Sequence, residues 1–530
     1  MIPSVGRLSA TLLAWLGVCA ATVSAREAGT LTVVGVEPAP RSVAVPRDAV
    51  IRIHFDRPIN ASTVLPAGRL SVFGKWSGVA NGPISLSNGD MTVTLSPVEG
   101  FAAGEPVMVV LANTVEGADG SPMRPGGYSF QFWTRAASAA LQFVEIDRLS
   151  TRTLPSQRTQ AYGGIASDLN GDGYSDLTIV NEITADLRVM LNSADESGTF
   201  EPFLTPTFPV GPRASPSEPA DFNGDGKVDL CVANIDGDTV SILLGLGDGT
   251  FASQQLVPVL DAPRGIAVLD VDGDGDVDVV NTNSQAGALN MTLLLNDGTG
   301  VFAEAPTSPF TAGIAGAWAL GAADMNEDGL LDLVVGSQSN QQISVLLSNG
   351  DGTFTPAGIQ SAGGRVWMLT CGDLNGDGHD DVTTINSTSN NASILLGDGS
   401  GGLSAPQTYP ADPFGLATDL GDLAGDGDLD WITSSFNGNF IWFLNDGNGV
   451  FTLQETFVPT AAASCALVVD VDNDGDLDLA LIDESADEVI ILQNQGPEAI
   501  PAASSAGLTV LTGLIVVLGA ALLRRQVSTS

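Results

Sequence analysis

Basic residues are scarce in this chain. Twenty Lys and Arg stand against 62 Asp and Glu, a formal net charge of -42. Such a surface repels phosphate backbones and anionic headgroups, so nucleic acid and anionic lipid are poor partners. Histidine is nearly absent: His54 and His379 are the two, and neither stands in a catalytic setting. No G-x-S-x-G elbow and no zinc motif occurs, so the chain is read as a non-enzyme. Cysteine is down to four. Cys19 falls in an N-terminal leader, and Cys231, Cys371 and Cys465 lie far apart. A disulfide framework is therefore not expected, and the three read as small buried apolar residues. Charged residues make up only 15% of the chain, against 62 glycines. That argues against long charged helices and for many short strands joined by turns.

What is present is acid concentrated in one kind of loop. Asp270 to Asp278 reads DVDGDGDVD, with carboxylates at positions 1, 3, 5 and 9 and Gly275 at position 6. Odd positions of a tightly curled loop can turn inward on one point, and the glycine frees the backbone for the sharp turn. Hard oxygens converging on a point suit Ca²⁺, which takes roughly six to eight oxygens at about 2.3–2.6 Å. Mg²⁺ resists so dehydrated a cage. Like loops begin at Asp168, Asp221, Asp270, Asp324, Asp373, Asp422 and Asp470, at intervals of 53, 49, 54, 49, 49 and 48 residues. Plain Asx turns have no need of acid at positions 1, 3, 5 and 9 seven times over.

The expected ligand sets follow by position. The first loop offers Asp168, Asn170, Asp172 and Asp176, with Tyr174 giving a backbone carbonyl at position 7. The second offers Asp221, Asn223, Asp225 and Asp229, with Lys227 at position 7. The third has Asp270, Asp272, Asp274 and Asp278, with Asp276. The fourth has Asp324, Asn326, Asp328 and Asp332, with Leu330. The fifth has Asp373, Asn375, Asp377 and Asp381, with His379, read as a bystander side chain. The seventh has Asp470, Asp472, Asp474 and Asp478, with Asp476. The sixth keeps Asp422, Asp426 and Asp430 but carries Ala424 at position 3. Asp428 could compensate there only by changing the loop's path, so this site is expected to be the weakest. An EF-hand would close with Glu at position 12 between helices; here Asp closes at position 9 and apolar strands follow.

The surroundings repeat too. Each loop follows a small or apolar run and precedes two apolar strands, a Gly/Asp turn ending in an aromatic, and a further extended run. Gly247-Asp248-Gly249-Thr250-Phe251 is one such turn. Four strands every fifty residues is propeller-blade length, and ring closure protects sheet edges. A nonapeptide β-helix would repeat far more often. The fold class expected is all-β: a seven-bladed β-propeller over 141–495, with residues 141–149 supplying the opening strand of the first blade. These loops and their period resemble the FG-GAP-like, or VCBS, repeats whose best-known members are the integrin alpha-subunit propellers. The resemblance implies seven blades with up to seven structural Ca²⁺ ions held in hairpin loops.

Ahead of the repeats, residues 31–134 carry six short β-rich runs: 31–36, 50–55, 69–73, 91–95, 107–111 and 128–133. They predict a β-sandwich, with His54 on a half-buried strand face. The phrases Ile51 to Asn60, Ser62 to Val64 and Gly126 to Thr134 resemble bacterial Ig-like domains of surface proteins, which implies a spacer or presenting module. The Asn60-Ala61-Ser62 sequon reads as chance. Residues 135–140, small and alanine-rich, read as a linker.

The ends read as targeting segments. Arg7, the apolar run 12–21 and Val23-Ser24-Ala25 make a signal peptide cleaved after Ala25; a lipoprotein signal at Cys19 fits less well because Val18 precedes it. At the other end an apolar run, 506–523, is just long enough to span a bilayer and is followed by Arg524-Arg525. With Pro497-Glu498 before it, the tail resembles PEP-CTERM sorting segments, which implies processing by an exosortase-like protease; a simple membrane anchor is the alternative. The function expected is a calcium-binding, surface-displayed or secreted bacterial platform for protein or glycan ligands. A glycan-binding lectin is the alternative, with Trp318, Trp367, Trp431 and Trp442 as stacking candidates, and a propeller enzyme such as a polysaccharide lyase or phospholipase is a more distant one.

Overall fold

The computed structural model describes residues 29–496, apart from 67 and 460. The signal-peptide and C-terminal-helix expectations lie outside the described residues. Among those that are described, no helix is long and apolar enough to cross a membrane.

The first unit is a sandwich of two four-stranded sheets. One sheet runs Val33–Glu37, Ile51–Phe55, Thr92–Leu95, Ile84–Ser87, and the other Gly78–Val79, Leu70–Gly74, Pro106–Leu111, Tyr128–Trp133. The strands Gly78–Val79 and Ile84–Ser87 were not visible in the sequence, one because it is two residues long and one because its Ser-rich pattern is half exposed. Ile51, Ile53 and Phe55 alternate into the core while Arg52 and His54 face outward, as period-two patterning dictates. His54 Nδ1 sits 3.1 Å from Thr92 Oγ1. Phe101, Phe130 and Phe132 fill the middle, with Phe101 and Phe132 edge to face at 5.8 Å.

Seven four-stranded antiparallel sheets follow. In the third, Pro263–Leu269 leads into the acidic loop, then come Asp278–Asn283, Met291–Asn296 and Phe302–Glu304. Each acidic loop thus joins the first strand of a sheet to the second. The first strands of successive sheets pack side by side, and Ala161–Ser167 of the first sheet meets Ala463–Val469 of the seventh, closing a ring. Second strands are buried along their whole length, so apolar faces on both sides find partners in neighbouring sheets.

Closure corrects one expectation. Phe143–Ser150 does not open the first sheet; it is the outermost strand of the seventh, paired with Glu488–Asn494. Local sequence places it beside the first repeat, but the free edge of the last sheet is the one that needs a strand. Residues 135–140 are also not a free tether. Ala136 is buried, and Ala137 N donates to Gly475 O at 2.6 Å.

The candidate metal loops and the central cavity

Each loop is curled by its own carboxylates. The position-1 aspartate accepts the position-6 glycine N–H on Oδ2 in all seven loops, at 2.9–3.1 Å. That glycine has φ between 78° and 98° throughout, a conformation other residues resist. Position 3 accepts the N–H of position 5 wherever it is Asp or Asn, and position 5 accepts the N–H of position 7. Ala424 breaks this chain in the sixth loop, where Asp426 still holds Asp428 N at 3.2 Å.

The position-9 aspartate has a role that ligand spacing alone did not reveal. Both its oxygens take backbone N–H groups at 2.7–3.1 Å, one from inside the loop and one from the far end of the third strand. Asp278 accepts from Val271 and Asn296; Asp332 from Met325 and Ser348; Asp478 from Val471 and Asn494. Asp176, Asp229, Asp381 and Asp430 repeat the arrangement. All seven are at most 1% exposed. In four sheets the third-strand residue is an asparagine whose Nδ2 reaches the preceding loop: Asn192 to Val471 O, Asn296 to Phe222 O, Asn445 to Leu374 O and Asn494 to Leu423 O, at 2.7–3.3 Å. The sequence signal of this bridge is the Asn that recurs fifteen to eighteen residues after position 9 in four of the repeats.

Position-7 side chains point away from the loop interior. Lys227, Asp276, Leu330, His379, Asp428 and Asp476 each lie against a glycine of the turn after the third strand: Gly247, Gly298, Gly350, Gly399, Gly447 and Gly496. Asp428 is therefore not drawn in to replace the ligand lost at Ala424. His379 Nδ1 instead makes a short contact with Glu327 of the fourth loop.

In two loops the carboxylates gather. Asp270, Asp272 and Asp278 bring ligand oxygens within 4.8 Å of one another, and so do Asp470, Asp472 and Asp478. The other five loops carry Asn or Ala at position 3, so the carboxylate that completes each trio has no counterpart in them, and no three carboxylates gather among their described residues. Burial and the crowding of like charge raise these groups: Asp270 to about 8, Asp274 to about 6 and Asp470 to about 7, with Asp278 and Asp478 well above the ordinary carboxylate range. Desolvation is the largest cause in each. In the seventh loop Asp470 Oδ1 is buried with no hydrogen-bond partner. A buried carboxylate oxygen left unpaired beside two further carboxylates fits a hard divalent cation.

The ring encloses a cavity of about 310 Å³. Phe73, Lys75, Trp76 and Met108 of the sandwich line one end. Toward the other, Trp318 and Trp367 stand 4.6 Å apart, Arg264 lies over Trp318 at 4.0 Å, and Trp367 Nε1 donates to Tyr162 Oη at 2.8 Å. Of the four tryptophans named above, Trp431 and Trp442 are buried in the sheets while Trp318 and Trp367 line the cavity.

FG-GAP-like repeats match residues 168–232, 221–281, 270–335, 324–384, 373–433 and 422–481, each span running from one acidic loop past the next. The chain belongs to the FG-GAP-like repeat family. A bacterial Ig-like domain matches residues 27–134. No curated protein matches the chain. Among solved structures it is similar to BBS1N from a complex with ARL6DN (13% identity, 67% of this chain and 98% of that one, TM-score 0.47). It is also similar to the WD40 beta propeller domain of Doa1 (11%, 67% and 97%, 0.44) and to an Agrocybe aegerita lectin that recognises non-reducing terminal N-acetylglucosamine (17%, 81% and 99%, 0.39).

Proposed function

We propose that this FG-GAP-like protein is an exported, calcium-stabilised seven-bladed propeller that acts as a non-enzymatic binding platform at a bacterial surface or in its surroundings. The observation that carries the reading is the convergence of Asp270, Asp272 and Asp278, and of Asp470, Asp472 and Asp478, within loops curled by their own side chains. Asp, Asn and backbone oxygens at that spacing supply the hard donors that Ca²⁺ takes, and a saturated set leaves no open position for a substrate. The ions are structural in this reading, and the loops brace a scaffold. Membrane attachment through 506–523, or its removal by an exosortase-like protease, belongs to the same proposal.

The second reading is a glycan-binding module, favoured by Trp318 and Trp367 lining the cavity while the other two candidates are core. Aromatic faces beside polar groups suit sugar rings. The calcium-loaded protein applied to a glycan array, alongside a pull-down from extracellular protein, separates the two. Capture of defined proteins with a blank array supports the platform. Array signal abolished by Trp367→Ala supports the lectin. Failure of the protein to bind calcium in titration sinks the calcium reading whatever the ligand.

A further inference from the structure

The face of the ring that carries the acidic loops is covered by the chain's own Ig-like domain. Arg41 donates from Nε to Gly378 O at 2.6 Å. Both Arg124 guanidinium Nη atoms donate to the fourth loop, at Asp328 O and Gly329 O. Asn113 donates its backbone N–H to Gly273 O at 2.6 Å and its Nδ2 to Asp272 O at 3.2 Å. Ala137 N reaches Gly475 O, Ser138 Oγ reaches Gly425 O at 3.1 Å, and Asp168 N of the first loop donates to Trp76 O at 2.6 Å. At the second loop, Gly78 packs against Val228. Three loops, the third, fourth and fifth, offer carbonyls from positions 3 to 6 to the domain itself, and the sixth and seventh offer theirs to the segment 135–140 that follows it.

We infer that the Ig-like domain is a calcium-dependent cap on the central cavity, docked only while the loops are curled. The inference rests on the calcium reading above. The carbonyls that the domain binds are aimed by the curl, and the curl folds carboxylates together. Without a cation, like charges within 4.8 Å in the third and seventh loops drive those loops open and turn Gly273 O, Asp272 O and Gly475 O away from Asn113 and Ala137. The domain reaches both of these loops: Gly273 lies against Pro125 and Gly126, Gly275 lies against Ala112, and Arg47 Nη2 donates to Asn473 Oδ1 of the seventh loop at 3.2 Å. The fourth loop couples in the opposite sense, because Arg41 Nη1 lies 3.5 Å from Asp324 Oδ2 and supplies part of the positive charge itself. Undocking would uncover the cavity end now lined by Phe73, Lys75, Trp76 and Met108. The domain is then a closure over the cavity, and the spacer role implied by its family likeness does not describe how it is placed.

The cysteines provide the test. Cys371 lines the cavity, two residues before the fifth loop, whereas Cys231 is fully buried between sheets and lines no cavity surface. The full chain is treated with a maleimide in calcium and after its removal, and labelling of each cysteine peptide is followed by mass spectrometry. Calcium content is titrated on the same samples. The expected result is an increase of about tenfold or more in Cys371 labelling on calcium removal with Cys231 unchanged, since labelling tracks the open population. Arg124→Ala combined with Asn113→Ala, which leaves every carboxylate in place, is expected to give fast Cys371 labelling in calcium with the calcium stoichiometry retained. Calcium that binds but leaves Cys371 labelling the same in both conditions overturns the cap and spares the calcium reading. Cys231 and Cys371 rising together shows ring unfolding and also overturns the cap. Absence of calcium binding overturns both.

Discussion

Removing calcium should make this protein's stability fall with rising pH, and the third and seventh loops set the size of the effect. Three carboxylates whose oxygens lie within 4.8 Å repel by about 3.5 kcal/mol per pair at an effective dielectric near 20, or about 10 kcal/mol for three pairs. Protonating one of them removes two pairs, a gain of about 7 kcal/mol. Holding a proton at pH 7 on a group that ordinarily titrates at 3.8 costs about 4.4 kcal/mol. The proton wins, so a cation-free loop that keeps its curl holds one at neutral pH. That agrees with Asp270 being raised to about 8 and Asp470 to about 7, burial being the first cause and the neighbouring carboxylates adding to it. The sign follows. A carboxyl raised in the fold stabilises it fully below about pH 3.8 and loses that contribution as pH rises to 7–8. One such group in each of the two loops gives a loss of about 2.7 kcal/mol per pH unit between those limits. Calcium displaces the proton, so the loaded protein should not show this loss, and binding should release about one proton per loop at pH 7. Urea midpoints at pH 5, 6.5 and 8, with calcium-free and calcium-loaded protein, read the first effect. Titration calorimetry in two buffers of different ionisation enthalpy reads the second. A calcium-free midpoint that rises from pH 5 to pH 8, or calcium binding with no proton release, refutes the reasoning.

Asp186→Ala should cost about 3–5 kcal/mol, because it leaves Arg188, 1% exposed and paired with Asp186 at 3.2 Å, as a buried uncompensated charge; the double variant with Arg188→Met should recover most of the loss in the same denaturation assay. Asp381→Asn should cost about 1–3 kcal/mol even without calcium, since one of its two backbone donors, Leu374 N or Gly397 N, loses its acceptor; an unchanged urea midpoint would remove the stapling role of position 9. Ala424→Asn restores position 3 of the sixth loop and should tighten its calcium affinity about tenfold or more, read as an added or sharpened step in a calcium titration. Deleting residues 141–150 strips the seventh sheet of its outer strand and bares an edge, so size-exclusion chromatography should show loss of monomer to aggregates.

Much of this was legible from local pattern. The Asp/Asn spacing reports a curled loop because one loop's hydrogen bonds are all made within about nine residues, and the period reports the sheet because each sheet is one repeat long. Position 9 shows the limit of that legibility: its ligand-like spacing was visible, but its second backbone partner lies fifteen to eighteen residues on, at the end of a strand that only pairing brings near. The same holds for the asparagines that bridge to the preceding loop. Convergence was partly legible: the two loops that gather three carboxylates within 4.8 Å, the third and the seventh, are the two with Asp rather than Asn or Ala at position 3, and only the fold shows that those side chains turn onto one point.

By itself, then, the sequence determined the repeat, the curl of each loop, the sandwich that precedes the ring and the acid that asks for a cation, because each depends on contacts between near neighbours in the chain. Tertiary structure alone decided where Phe143–Ser150 closes the ring, which tryptophans face the cavity, and that the Ig-like domain sits on the loop face. Those outcomes rest on hydrogen bonds between residues as far apart as Arg41 and Gly378, and no local periodicity encodes which distant carbonyl an arginine will find.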